Sequence, residues 1–425
     1  VTTHQAGYGA FDFMQSDSAF GSEEMLKQLT NSLHENDMQI MLDAVFEYIN
    51  INNILYNSTD TYPYLDGAQS PTDTWYDFVQ RHENGEVMYS TWGSPLINFS
   101  SELARDYFYR KENSAMQYYI REVGIDGWRM DVGNILSGSD VNNFGTSTQI
   151  LRDMRQYIKA ADEDTLFLSE HANGDQFDYI LDSKWNYSFG YAIRDWAAGL
   201  SNPSVLMNTL ESGVLGLPRS VANASYNFLT THDLPRLIDI AEYEGGDKTS
   251  IFNAANLLMF TFVGSPCVYY GEEAGMTGLN VIEDEQASSF WNSMEWDESE
   301  FNYEIYDMTK ALAKLRKEYP SLYTDGAYLN VYSETDAANP AGVISFARFA
   351  EEGAAITAVN PITQIVKNFE LDVGKVDNIC DGDILTDYLT GRQYTVMDGK
   401  VTVDVYPGGS VLVTGKTSEN VVGNM

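Results

Sequence analysis

The sequence predicts an α/β protein: a barrel of parallel strands alternating with helices, followed by an antiparallel β domain. Three observations carry this. Amphipathic helical stretches alternate with short, almost wholly apolar runs such as Met38–Phe46 (MQIMLDAVF), the mark of strands buried on both faces of a parallel sheet. Several of these runs end in charged or polar side chains, as strands that open onto a barrel mouth do. After about Tyr319 the pattern changes to short alternating runs with turn signals, which reads as an antiparallel β domain.

Composition narrows the function classes. With 25 basic against 62 acidic residues the net charge is −37, which excludes nucleic acid as a partner, since its phosphates demand a basic face. The longest clean apolar run, Leu257–Val263, is far too short to span a bilayer, so no membrane partner is expected. The acidic excess is spread along the chain, which suits a highly solvated surface in a salty or extracellular medium. Cys267 and Cys380 suggest neither a disulfide framework nor a thiolate metal site, and the five histidines show no i, i+4 metal spacing.

In chain order, Ser22 offers an N-cap to an amphipathic helix bearing Met25, Leu26, Leu29 and Leu33 and ending near Asn36. The Met38–Phe46 strand follows. Residues 47–100 show no sustained period, and a connection this long in a compact domain is usually functional, so they read as an inserted subdomain. Leu103–Val123 reads as a helix, Ile125–Val132 as a strand, Ser147–Ala161 as a helix and Thr165–His171 as a strand. Further strands are expected at Phe177–Asp182, Tyr226–Asp233 and Ser265–Tyr270, with helices around Tyr191–Gly199, Ser204–Glu211, Ile251–Met259 and Tyr306–Tyr319. The β domain shows alternating runs at Val343–Arg348, Ala355–Val359, Gln393–Val396, Val401–Val405 and Ser410–Val413.

The chemistry lies at the strand ends. Asp43, Arg129 with Asp131, Glu170, and His232 with Asp233 all sit there, and in a barrel they would converge at one mouth. Each alone has an ordinary explanation as a solvated strand end; together they point to a site. Several carboxylates with no metal ligands and no activated serine suit glycosidic bond cleavage, which needs an ionised nucleophile, a protonated acid and acceptors for sugar hydroxyls. Asp131 beside Arg129, which favours its ionised form, suits the nucleophile. Glu170, near other negative charge, suits the proton donor, and Asp233 with His232 suits the ring hydroxyls as charge develops.

Motifs at these positions resemble the signature regions of the large α-amylase family of glycoside hydrolases, nearest to its neopullulanase and cyclomaltodextrinase branch. GYGAFDF at 7–13 resembles the loop after the family's second strand, LDAVF at 42–46 its third strand, and DGWRMDVGN at 126–134 its nucleophile strand. LSEH at 168–171, FLTTHDLPR at 228–236 and GSPCVYYGEE at 264–273 are similar to the acid/base, stabiliser and last strands, and SPLIN at 94–98 to the short motif that closes the inserted subdomain. The resemblance implies Asp131 as nucleophile, Glu170 as acid/base and Asp233 as transition-state stabiliser. It implies Tyr8, Arg129, His232 and Arg236 as substrate-binding residues, with Tyr8 stacked on the sugar, and Asp12 and Asp43 as carboxylates that brace this region. The family's usual asparagine and histidine after the third strand are Glu47 and Tyr48 here. Tyr48 joins the substrate-binding candidates, no cofactor is required, no metal ligand is assigned, and a Ca2+ site loses one of its family ligands. Ala172 stands where a tryptophan commonly follows the acid/base, and residues 287–298 depart from an arginine-rich stretch, so specificity on the acceptor side should differ.

The resemblance implies a TIM (β/α)8-type barrel whose first two strands are missing from this numbering. The barrel is expected over 1–46 and 101–322, the inserted subdomain over 47–100, the antiparallel β domain over 323–416 and a loose tail over 417–425. The expected function is a retaining, endo-type α-glucan hydrolase acting on starch-derived maltooligosaccharides, cyclodextrins or pullulan. The alternatives are a glucanotransferase sharing its intermediate and a catalytically silent carbohydrate-binding protein. A secreted or cell-surface location is expected, with its signal outside this numbering and the cytoplasm as the alternative; oligomeric state is left open.

Overall fold

The computed structural model describes residues 8–51, 53, 77–172, 176, 179–214, 216–278, 291–333, 342–351 and 353–414. The chain divides into two compact units, Val1–Trp185 and Asn186–Met425. The expected tail over 417–425 lies outside the described residues.

In the first unit, Ser22 caps helix α1 (Glu23–His34), its side chain accepting from the Met25 N–H, as the sequence predicts. Strands β1 (Met41–Ala44), β2 (Gly127–Met130), β3 (Leu166–Ser169) and β4 (Ser183–Lys184) form a parallel sheet in that order. The register sets Asp43 opposite Arg129, and Arg129 opposite Leu168. Helix α2 (Ser147–Ala161) makes the crossover from β2 to β3 and opens with a reciprocal Thr146/Gln149 capping box. Gly127 permits the close approach of β2 and β3, because a Cβ there would stand 2.9 Å from the Leu166 carbonyl oxygen. One face of the sheet is closed by Phe46, Phe108, Trp128, Met130, Ile150, Met154 and Phe167.

Two expectations are corrected here. The Leu103–Val123 helix is interrupted: Glu102–Arg105 widens into a π turn over Asp106–Arg110, and the helix restarts at Ala115–Tyr118. The interruption falls at Lys111–Glu112–Asn113, three exposed polar residues with no face to bury. The fourth strand is Ser183–Lys184; of the expected span Phe177–Asp182, residues 179–182 lead into it without pairing as a strand, and 177–178 lie outside the described residues. Ile180 and Leu181 are buried in the core from the approach to the strand, so their apolar character marks burial without pairing. Within 47–100 the described residues hold only isolated bridges, such as Tyr48 to Leu96 and Val79 to Ile97.

The second unit contains α3 (Tyr187–Ala197), α4 (Pro203–Val214), β5 (Tyr226–Phe228), α5 (Lys248–Thr261), β6 (Ser265–Cys267) and α6 (Tyr303–Glu318), with β5 and β6 paired in parallel. Every residue of α5 from Ser250 to Thr261 is buried, so it is a core helix enclosed all round, with Ser250, Asn253, Asn256 and Thr261 as its buried polar residues. Among the described residues no helix is long and apolar enough to cross a membrane.

Eight further strands follow: β7 (Ala327–Ser333), β8 (Ile344–Ala350), β9 (Gly353–Val359), β10 (Val366–Asp372), β11 (Ile384–Asp387), β12 (Gln393–Thr395), β13 (Lys400–Val405) and β14 (Ser410–Thr414). Six form an antiparallel sheet in the order β12-β11-β14-β9-β8-β7, and β10 pairs with β13. The sheet is buried on both faces. Ile344, Phe346, Val359, Val411 and Val413 pack with Leu257, Leu258, Leu312 and Leu315 of the helices, while Ala347, Ile356, Ala358 and Leu412 pack with Leu371, Val401 and Val403 of the β10-β13 ribbon. Strand β10 escapes the alternation rule because a register shift between Val366 and Phe369 interrupts its pattern.

Candidate active site

In the first unit the side chains of interest lie at or just beyond the carboxyl ends of consecutive strands. Asp43 is in β1, Arg129 in β2, Asp131 follows β2 and Glu170 follows β3. The ladder carries on past the strands, with Asp131 N–H donating to Ala44 O and Glu170 N–H to Met130 O, which fixes where both side chains leave the sheet. Arg129 is the hub. Its Nη1 donates to both Asp43 oxygens (2.8 and 2.7 Å) and to Asp131 Oδ1 (2.7 Å), and its Nη2 forms an ion pair with Glu170 Oε2 at 2.9 Å. The Tyr8 hydroxyl donates to Asp43 Oδ2 at 3.2 Å. Arg129, Asp131 and Glu170 are 7%, 7% and 5% exposed, so these charges are largely withdrawn from water.

The chain turns sharply after Asp131. Val132 has φ 39° and ψ 39°, a left-handed conformation costly for a β-branched residue, and it directs its N–H to Glu170 Oε2 at 3.1 Å. Gly133 follows close against Ser169, with no room for a side chain. The backbone is thus bent around the carboxylates.

One guanidinium shared among three carboxylates changes the charge balance expected for Asp131. Burial pushes the Asp131 carboxyl well above its ordinary range; Arg129 opposes this, and the charges of Asp43 and Glu170 add to it. Arg129 does favour the ionised form, as expected, but burial outweighs it. Tyr48 is buried beside this cluster, its phenol pushed up by burial and then by Asp131, Glu47 and Asp43. Asp12 folds onto its own loop, accepting from the Met14 N–H at 2.8 Å, which fits a brace.

Two further side chains belong to this cluster. The Arg129 guanidinium lies 4.8 Å from the centre of the Trp185 ring, and His171 Nε2 lies 3.7 Å from Glu170 Oε1. Trp185 follows β4 as Asp131 follows β2 and Glu170 follows β3, so the strand-end rule would have found it had the fourth strand been placed correctly.

The second unit presents His232 and Asp233 on the turn after β5. His232 Nε2 stands 3.3 Å from Asp233 Oδ2, the Asp233 N–H donates to Thr231 Oγ1 at 3.2 Å, and the Trp291 indole N–H donates to the His232 carbonyl. Arg236, expected to bind substrate, is instead fully buried. Its Nη1 donates to Tyr270 O at 2.9 Å and its guanidinium lies against the Tyr269 and Tyr270 rings. A side chain with no exposed surface supports the turn and does not reach a sugar.

Among the described residues no group of three or more His, Cys, Asp or Glu side chains could hold a metal ion. Glu47, at the position of the family's usual calcium-ligating asparagine, is pushed toward its neutral form by burial, and its Oε2 is buried with no hydrogen-bond partner among the described residues.

The family profile "Alpha amylase, catalytic domain" matches residues 2–300. A cyclomaltodextrinase of Geobacillus thermopakistaniensis (strain MAS1) is 29% identical over 427 residues, covering 95% of this chain and 64% of that protein. The protein named intracellular maltogenic amylase of Bacillus subtilis (strain 168) is 27% identical over 387 residues, covering 88% of this chain and 60% of that protein. The chain therefore spans under two thirds of the length of these relatives. The expectation of a secreted location finds no support in them. The solved structure of a cyclomaltodextrinase shares the fold, with TM-score 0.75 at 22% identity over 96% of this chain and 66% of that one. The parallel strands and the antiparallel sheet are thus those of a (β/α)8-type barrel with a C-terminal β domain, and the chain belongs to the alpha-amylase catalytic-domain family.

Proposed function

We propose that the protein is a retaining α-glucan hydrolase acting on maltooligosaccharides, cyclodextrins or pullulan. The observation that carries this reading is the arrangement at Arg129, whose two terminal nitrogens hold Asp131 and Glu170 side by side. A retaining glycosidase places its two carboxyl groups about 5 Å apart, so that one attacks the sugar directly, whereas an inverting enzyme leaves room for a water between them.

In this reading Asp131 attacks the anomeric carbon as Glu170 gives its proton to the departing glycosidic oxygen. The bond to the leaving sugar breaks and a glycosyl ester on Asp131 forms. Glu170, now ionised, then takes a proton from the water that attacks the same carbon and frees Asp131. The productive state has one proton on Glu170 and none on Asp131, and the mutual repulsion of the two carboxylates disfavours losing both protons. Asp233, beside His232, takes the role of holding sugar hydroxyls as positive charge develops. The names of the relatives, cyclomaltodextrinase and maltogenic amylase, support the substrate class.

Proton NMR of maltoheptaose and of a cyclodextrin mixed with the protein tests this. New reducing ends should appear first as the α anomer. Longer oligosaccharides without net reducing ends would indicate a glucanotransferase, and no change in either sugar, from folded protein, would favour the silent binding protein. Because Asp131 must be ionised to attack, kcat/KM should also rise with pH along an acid limb well above the ordinary Asp value of 3.8. An acid limb at that ordinary value would remove the link between burial and reactivity.

A further inference from the structure

The turns that follow Asp131 and Glu170 meet each other, and the residue at that meeting is Ser169, the last of β3, which no step above uses. Its side chain has no exposed surface. A hydroxyl withdrawn from water is costly unless it is hydrogen-bonded, and here Ser169 Oγ–H donates to the carbonyl oxygen of His171 at 2.5 Å. The bond spans Glu170. It closes a short ring from one side of the acid/base residue to the other, of the kind a serine makes with its own backbone where a regular ladder stops.

On the strand side the same stretch is fixed by the sheet: Glu170 N–H donates to Met130 O at 3.0 Å and Trp185 N–H to Ser169 O at 3.2 Å. Strand β3 ends there, so the Ser169 hydroxyl supplies beyond Glu170 what the ladder supplies before it. The hydroxyl also fills the space beside Gly133, where a Cβ would stand 2.4 Å from Ser169 Oγ. Ser169 thus packs into the turn that follows Asp131, from which Val132 N–H reaches Glu170 Oε2 at 3.1 Å. Arg129 Nη2 stands 2.9 Å from the same oxygen, and His171 Nε2 3.7 Å from Oε1. A carboxyl surrounded this closely keeps its place only while its backbone does not shift.

We propose that Ser169 is a positioning residue for Glu170, its hydroxyl clamping the peptide that carries the acid/base at the end of β3. The inference rests on the proposed role of Glu170 as proton donor. A proton donor must lie within hydrogen-bond reach of the departing oxygen, and a displacement of about 1 Å costs on the order of 10²-fold in rate. A leaving group that departs as an anion, without taking a proton, escapes that cost. Fluoride is such a group, so α-maltosyl fluoride separates the position of Glu170 from the general integrity of the site.

The test compares Ser169→Ala with the parent chain on maltoheptaose and on α-maltosyl fluoride, with circular dichroism to confirm folding. Alanine removes the hydroxyl and its bond to the His171 carbonyl. On maltoheptaose kcat should fall by about ten-fold to on the order of 10²-fold, with KM within about twofold of the parent value. On the fluoride kcat/KM, which stops short of the second, base-assisted step, should stay within about threefold. Both substrates are assayed on one preparation, so a partly unfolded variant lowers both alike and leaves their ratio intact. Should Ser169→Ala not fold at all, Ser169→Cys decides, since its thiol keeps a similar shape and donates more weakly; its ratio should likewise fall below that of the parent. An equal loss on both substrates, a loss confined to KM, or an unchanged ratio overturns the positioning role alone. Absence of turnover of either sugar by the parent overturns the functional reading together with it.

Discussion

Asp131→Asn should abolish turnover of maltoheptaose, lowering kcat by on the order of 10⁴-fold or more, the effect of deleting a covalent nucleophile, while the chain stays folded. The amide has nearly the same shape, and its oxygen can still accept from Arg129 Nη1, so Asp43 and Glu170 keep their shared partner. Stability should be maintained or improved, because the substitution removes one of the carboxylates competing for a single guanidinium. The pH dependence fixes the sign. A carboxyl whose folded pKa is raised holds its proton more tightly when folded, so its contribution is full below the unfolded value of 3.8 and is lost as pH rises through the folded value. The variant's gain over the parent should therefore be larger at about pH 8 than at about pH 5. Reducing-end assays and thermal melts at both pH values read this out. Activity within tenfold of the parent would remove Asp131 from the nucleophile role, and a gain larger at the lower pH would contradict the crowding at Arg129.

Arg129→Met should cost about 3–5 kcal/mol of stability at neutral pH, the penalty for stripping a buried charge cluster of its counterion. Methionine replaces the aliphatic stem but leaves Asp131 and Glu170 facing each other with no compensating charge. Asp43 is less affected, since its side chain is 37% exposed and can turn to water. The carboxyls would then retain protons to still higher pH, so the loss should shrink as pH is lowered. Urea unfolding at two pH values measures it. A cost under about 1 kcal/mol, as for an exposed pair, would mean that Arg129 does not hold this cluster together.

Much of the site was legible because strand ends carry chemistry: Asp43, Arg129, Asp131, Glu170, His232 and Asp233 were all singled out from apolar runs that stop at a charge. Residues that act from behind were not. Arg236 looks like a binder in the sequence because its charge is visible there and its burial is not. Ser169 reads as one more polar residue at a strand end, and nothing in the sequence LSEH says that its hydroxyl turns back onto the chain. Trp185 was hidden by the fourth strand, whose two paired residues are too few for a period-2 pattern, while the buried residues before it imitate one. His171 needs only the ring's direction to reach Glu170, and sequence does not contain directions.

The antiparallel sheet of the second unit has one more consequence. Side chains from alternate positions of β8, β9 and β14 enter two separate cores, one shared with α5 and α6 and one with the β10-β13 ribbon. The change of pattern near Tyr319 is therefore a change of architecture without a seam in the packing. Trimming the chain there would leave Leu257, Leu258, Leu312 and Leu315 bare, and grafting a foreign sheet in its place would have to match their contours. The β-rich end is a lining of the second unit, not a module that recombination could exchange freely.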